Sequence, residues 1–123
     1  MFLSKQTKCA ECHNGPFYTD SQSGKPSVRH DVGTGTADDS ETMGPAYDTP
    51  MLLGLYRSAP YLHHGKAETL RDVLTTQNAG DKHGVTSQLS ASEVDDLVAF
   101  LKSLPFEQPE PLASDAGIVK VAN

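Results

Sequence analysis

A chain of 123 residues with 37% apolar content has the length of one domain but few apolar side chains from which to build a core. Its formal charge of −6 disfavours nucleic acid and anionic membrane as partners, and no apolar run approaches the roughly 20 residues needed to span a bilayer. There is no tryptophan, and only four Phe and four Tyr are available for packing. A buried cofactor would supply the missing apolar bulk.

Residues 3–14 are predicted to form a short helix with Ser4 as N-cap and Gly15-Pro16 as its stop. Near its end lies Cys9-Ala10-Glu11-Cys12-His13, which contains both cysteines of the chain. C-x-x-C-H is the attachment signature of a c-type haem. Two thiols three positions apart on a helical turn reach the two vinyl groups of one porphyrin, and the adjacent imidazole meets the iron as proximal ligand. A zinc site would want two further Cys or His at matching spacing, and a redox dithiol would want a preceding strand within a βαβ pattern. Neither context is present, so one covalent haem c through Cys9 and Cys12 is expected.

From residue 19 to 50 the sequence is rich in Gly, Ser, Asp and Thr and reads as a long loop without regular structure, ordered by the cofactor. The acidic stretch Asp31, Asp38, Asp39 and Glu41 lacks EF-hand spacing, so haem iron is the sole metal expected. Thr49 to Tyr56 reads as a short helix with Pro50 in its first turn, ended near Ser58-Ala59-Pro60. Thr69 to Thr76 reads as another, with Leu70, Val73 and Leu74 on one face and a stop at Asn78-Ala79-Gly80. The strongest helix signal comes last. Ser90-Ala91-Ser92-Glu93 is a capping box, Leu89 and Val94 fit a hydrophobic staple, and Val94, Leu97, Val98, Leu101 and Leu104 form a stripe expected to pack on the first helix and the haem edge. Pro105 ends it. The domain is therefore expected to span residues 1–104, with 105–123 a Pro-rich tail or linker.

Helix, long loop and apolar C-terminal helix around one C-x-x-C-H suggest a class I cytochrome c-like fold, mostly α, with short helices and long loops. Phe17-Tyr18-Thr19-Asp20, His30-Asp31-Val32-Gly33-Thr34-Gly35, Asp48-Thr49-Pro50-Met51-Leu52, Ala59-Pro60-Tyr61-Leu62-His63-His64-Gly65 and Thr69-Leu70 follow the haem motif in order. The ordered set resembles the C-terminal haem domain of bacterial dihaem cytochrome c peroxidases and their relatives, including the enzymes that mature methylamine dehydrogenase. That resemblance implies a haem that passes electrons and a periplasmic or extracellular location. The first five residues are too short and polar for a secretory signal, so the export signal is expected to lie outside this chain.

Two departures from the family pattern stand out. A second C-x-x-C-H is missing, and Thr75-Thr76-Gln77-Asn78 lacks the methionine that ligates the electron-transferring haem in the peroxidase pattern. The stretch from Asn78 to Ser87 instead looks like a variant found in monohaem domains attached to larger secreted proteins. Candidates for the sixth iron ligand are His30, His63, His64, His83, Met43 and Met51. His83 is favoured, because it replaces the methionine region and is flanked by Gly80 and Gly84. Met51 doubles as a candidate core residue, and Met43 sits in a Gly-Pro segment.

The resemblance puts His30 and His63 near the haem, where an imidazole can bond a propionate or backbone. Arg29, Arg57 and Lys66 could neutralise propionates. The expected function is electron transfer by a single c-type haem to or from a redox partner protein or fused domain. The alternatives are a peroxidase-like enzyme with a vacatable sixth position, His83 or Glu41 serving as distal acid-base group, and a haem-based ligand sensor.

Overall fold

In the computed structural model, residues 1–21, 28–35 and 45–106 are described. Their elements in chain order are α1 (Cys9–Cys12), β1 (Arg29–Asp31), β2 (Ala46–Asp48), a 3-10 turn (Leu55–Arg57), α2 (Leu70–Leu74) and α3 (Ala91–Ser103). Helices are the principal regular elements, but most of the described backbone is turn and loop.

The first helix is shorter than expected. Lys8 takes a left-handed φ of 63°, which interrupts any helix running from residue 3 and leaves a single turn from Cys9 to Cys12. Ser4 caps a tight turn instead, its Oγ accepting from Gln6 N–H at 3.0 Å. The expected unstructured loop is also corrected: β1 and β2 pair antiparallel, with His30 opposite Tyr47 and Arg29 opposite Asp48. Between Thr49 and Tyr56 there is no α-helix; Gly54 at φ 78° leads instead into the short 3-10 turn Leu55–Arg57.

α2 and α3 form where their caps are written. The Thr69 side chain accepts from Asp72 N–H while Asp72 returns a bond to Thr69 N–H, and Ser90 and Glu93 repeat the arrangement at α3. α2 stops at Leu74, since Thr75 leaves the helical region. α3 runs to Ser103, and Leu104 is already extended ahead of Pro105.

Val94, Leu97, Leu101 and Leu104 are buried together with Leu70, Leu74 and Phe2. Truncating Leu97, which is 2% exposed, would cost about 2–5 kcal/mol. α3 packs on α2 and the 3-10 turn rather than on α1. Its N-terminal neighbour is Phe2, whose ring lies 5.0 Å from Phe100 and 5.7 Å from Tyr18. Cys9 and Ala10 then pack against the edge of this core, which fixes the haem motif relative to α3. No helix among the described residues is long and apolar enough to cross a membrane.

Candidate functional site

The site begins at the α1 turn. Cys9 and Cys12 are not joined in a disulfide, and burial raises the pKa of both thiols, with the charges of Asp20 and Glu11 adding to the effect at Cys12. A catalytic dithiol needs the opposite shift, so the redox-dithiol alternative has no support here. The Cys12 sulfur, an Asp20 oxygen and a His30 nitrogen lie within 4.8 Å of one another, a spacing that could hold a metal ion. Thioether formation at Cys12 removes the thiolate from that trio.

After α1 the chain turns sharply through Gly15, at φ 68°, and Tyr18, at φ 56°. This turn brings the Tyr18 carbonyl to 3.0 Å from His13 Nδ1. With its proton on Nδ1, His13 donates to that carbonyl and leaves the Nε2 lone pair free, the arrangement found in metal-ligating histidines. Burial lowers the His13 pKa, while the Tyr18 bond opposes the shift.

The His83 ring lies 6.2 Å from the His13 ring, centroid to centroid, with 41° between the planes. Burial, and then the proximity of His13, push its pKa down to about 4, so it is a neutral imidazole at physiological pH. The loop presenting it is bonded from within. Asn78 Oδ1 accepts from His83 N–H at 2.9 Å, and Asn78 Nδ2 donates to the carbonyls of His83 and Gly84 at 3.2 and 2.9 Å. Thr86 donates its hydroxyl to Leu74 O at 2.6 Å, tying the loop to the end of α2. Val85 N–H donates to Thr7 O at 2.9 Å, tying it to the segment before α1. Gly84 has φ 75°, and a Cβ there would stand 3.0 Å from Thr7 O and 3.6 Å from Cys9 Sγ.

His30 and His63 occupy the hairpin side. His30 Nε2 is 2.6 Å from Asp20 Oδ2. His63 bonds Thr34 O at 3.1 Å and stacks on Tyr47 at 4.0 Å. The Arg57 guanidinium lies 3.5 Å above the Phe106 ring, beside the end of α3. Arg29 and Lys66 are exposed, and His64 Nδ1 accepts from Lys66 N–H at 3.1 Å. Met51 is 55% exposed, so it is not the core residue it could have been, and Leu52 beside it is buried instead. Met43, Asp38, Asp39 and Glu41 lie outside the described residues. Asn78, Asp81 and Thr86 are residues that sequence reasoning missed. An Asn and an Asp flanking Gly80 were a turn signal, but nothing local announced that their side chains would bond forward to residues 83–87.

The sequence profile of the cytochrome c family matches residues 3–105. The chain belongs to the cytochrome c family. This cytochrome c domain carries haem c, with Cys9 and Cys12 at the spacing for covalent attachment. It is 48% identical over 59 residues to hydrazine synthase subunit gamma of Kuenenia stuttgartiensis, a match covering 47% of this chain and 17% of the relative. It is 30% identical over 120 residues to cytochrome c551 peroxidase of Nitrosomonas europaea, covering 88% of this chain and 34% of the relative. The domain thus spans about a third or less of the length of these relatives. Among solved structures, Kuenenia stuttgartiensis hydrazine synthase superposes with a TM-score of 0.68 at 31% identity, over 84% of this chain and 43% of that one. A MauG-like protein associated with microbial copper homeostasis shares the fold with a TM-score of 0.66 at 22% identity, over 86% of this chain and 45% of that one.

Proposed function

We propose that this cytochrome c domain is a single-haem electron carrier in which His13 and His83 are the two axial ligands. The observation that carries the reading is the 6.2 Å between their ring centres. Two imidazoles on opposite faces of one iron, each at a metal–nitrogen distance of about 2 Å, put their ring centres about 6 Å apart. When bound, haem supplies reversible one-electron iron chemistry. His13, oriented by the Tyr18 carbonyl, holds one face. His83, neutral and held by Asn78, holds the other and keeps small molecules off the metal. A histidine in the sixth position sets a lower potential than a methionine would.

Electrons pass to or from a redox partner protein or a domain joined to this one, outside the cytoplasm. The larger size of the relatives supports an attached or associated partner.

The experiment is the absorption spectrum of ferric and ferrous holoprotein for wild type and His83→Ala. The expected wild type is six-coordinate and low-spin, lacks the weak far-red band of methionine sulfur, and binds carbon monoxide poorly; the variant turns high-spin and binds it readily. An unchanged spectrum in His83→Ala, with Met43→Ala altering it, would overturn the assignment. The similarity to a cytochrome c551 peroxidase favours one second reading, in which the position taken by His83 would be open to peroxide, and two electrons from an external electron donor, passed through the haem, would reduce it with two protons to water. Saturable peroxide turnover by the wild-type domain, blocked by cyanide, would decide for it.

A further inference from the structure

We propose that Tyr18 and Phe100 are positioning residues for His13: the Tyr18 ring, seated against Phe100 of α3 and Phe2, holds the Tyr18 carbonyl at His13 Nδ1. The proposal rests on the reading of His13 as an iron ligand and is independent of His83. It gives α3, which lies far from the haem motif in the sequence, a part in setting the potential of the iron.

Tyr18 takes φ 56°, a left-handed conformation that glycine adopts freely and a large side chain does not. The same turn uses a glycine three residues earlier, Gly15 at φ 68°, so its shape alone does not call for an aromatic residue at position 18. A bulky residue persists in that region where its surroundings over-determine it. Two backbone bonds close the turn, Tyr18 N–H donating to Gly15 O at 3.2 Å and Thr19 N–H to Asn14 O at 2.9 Å.

The side chain supplies the remaining hold. The Tyr18 ring meets Phe2 edge-to-face with centroids 5.7 Å apart and Phe100 edge-to-face at 6.4 Å, and Phe2 and Phe100 close the triangle at 5.0 Å. These are separations at which aromatic pairs attract. Phe2 is buried, and Tyr18 and Phe100 pack against the core that contains it. Phe100 stands one residue before Leu101 of the buried stripe, on a helix fixed by a full capping box.

The consequence falls on His13. The Tyr18 carbonyl is 3.0 Å from His13 Nδ1, so the bonded oxygen belongs to the residue whose ring is clamped. A firm bond from Nδ1–H raises the basicity of the other ring nitrogen, and a more basic ligand favours ferric iron. Releasing the Tyr18 ring lets the left-handed turn relax and its carbonyl swing away. His13 then becomes a weaker donor, and the potential rises.

The test compares holoprotein of wild type, Tyr18→Ala, Tyr18→Phe and Phe100→Ala. The readouts are the midpoint potential at fixed pH and, in the ferrous protein, the proton resonance of His13 Nδ1–H. Both alanine variants are expected to raise the potential and to move the resonance upfield, as a weakened hydrogen bond does; Tyr18→Phe keeps the ring and is expected to match wild type. Leu97→Ala opens the same core without removing a ring, and is expected to lower the melting temperature while leaving both readouts unmoved. If Tyr18→Ala does not accumulate as holoprotein, Phe100→Ala against Phe100→Tyr carries the comparison. Wild-type readouts in the alanine variants overturn the proposal and assign the orientation of His13 to the backbone bonds of the turn. Equal shifts in Leu97→Ala overturn it as well, because the rings would then act through stability alone. The axial reading fails separately: carbon-bound ring protons of His13 without the strong upfield shift that a porphyrin gives an axial imidazole defeat it, with the Nδ1–H resonance still testing the clamp.

Discussion

Asn78 grips the backbone of His83 at both ends: its Oδ1 accepts from His83 N–H at 2.9 Å and its Nδ2 donates to the His83 carbonyl at 3.2 Å. Asn78 is itself 6% exposed, so these bonds are shielded from water. Asn78→Ala would leave several backbone groups of the loop without partners and is expected to cost about 2–4 kcal/mol of stability. The larger consequence is kinetic. With His83 as the proposed sixth ligand, an imidazole on a loosened loop would leave the iron more often, so ferrous Asn78→Ala should bind carbon monoxide faster than wild type. Equal binding rates would show that the loop is held by other contacts.

Gly84 and Gly80 flank His83 in the sequence, but the structure gives them different work. Gly84 has a left-handed backbone and sits 3.0 Å, at its would-be Cβ, from Thr7 O; at Gly80 the nearest atom is Lys82 Cγ at 4.0 Å and the backbone is not left-handed. Gly84→Ala is therefore expected to lower stability by about 1–3 kcal/mol, read as a shift in the denaturation midpoint. Gly80→Ala should stay within about 0.5 kcal/mol of wild type. Equal effects at the two positions would refute the assignment of close approach to Gly84.

These two positions show what could be read from the sequence and what could not. α3 was legible because its capping box, staple and stripe are local signals repeated over a long helix, and the haem motif was legible because its chemistry dictates its spacing. His83 was singled out by its place between glycines, and its ring lies 6.2 Å from that of His13. The paired strands were not legible: each is three residues long, and the pairing joins segments separated by the Gly-rich stretch. The contact of Arg57 with Phe106 was not legible for a similar reason. The two are far apart along the chain, and no periodicity links them. Asn78 read as a helix stop, but α2 already ends at Leu74, and what Asn78 does depends on side-chain bonds to a loop whose shape is tertiary.

The capping box at α2 makes a prediction about acid. Hydrogen bonding from the Thr69 side chain, partly opposed by desolvation and supported by the Thr69 backbone N–H, holds the Asp72 carboxyl below the ordinary carboxylate range. A carboxyl with a lowered folded-state pKa stabilises the fold above its unfolded value of about 3.9, and that contribution is lost as pH falls through the folded value. Asp72→Ala should therefore melt below wild type at neutral pH, by a small margin because the carboxyl is open to solvent. As pH drops below about 4, protonation removes the same bond from wild type, and the two melting curves should converge. The comparison cancels whatever acid does at the haem, because both proteins carry the same His13 and His83. A gap that stays constant from neutral to acidic pH would mean that Asp72 acts through packing or helix propensity, with its charge uninvolved.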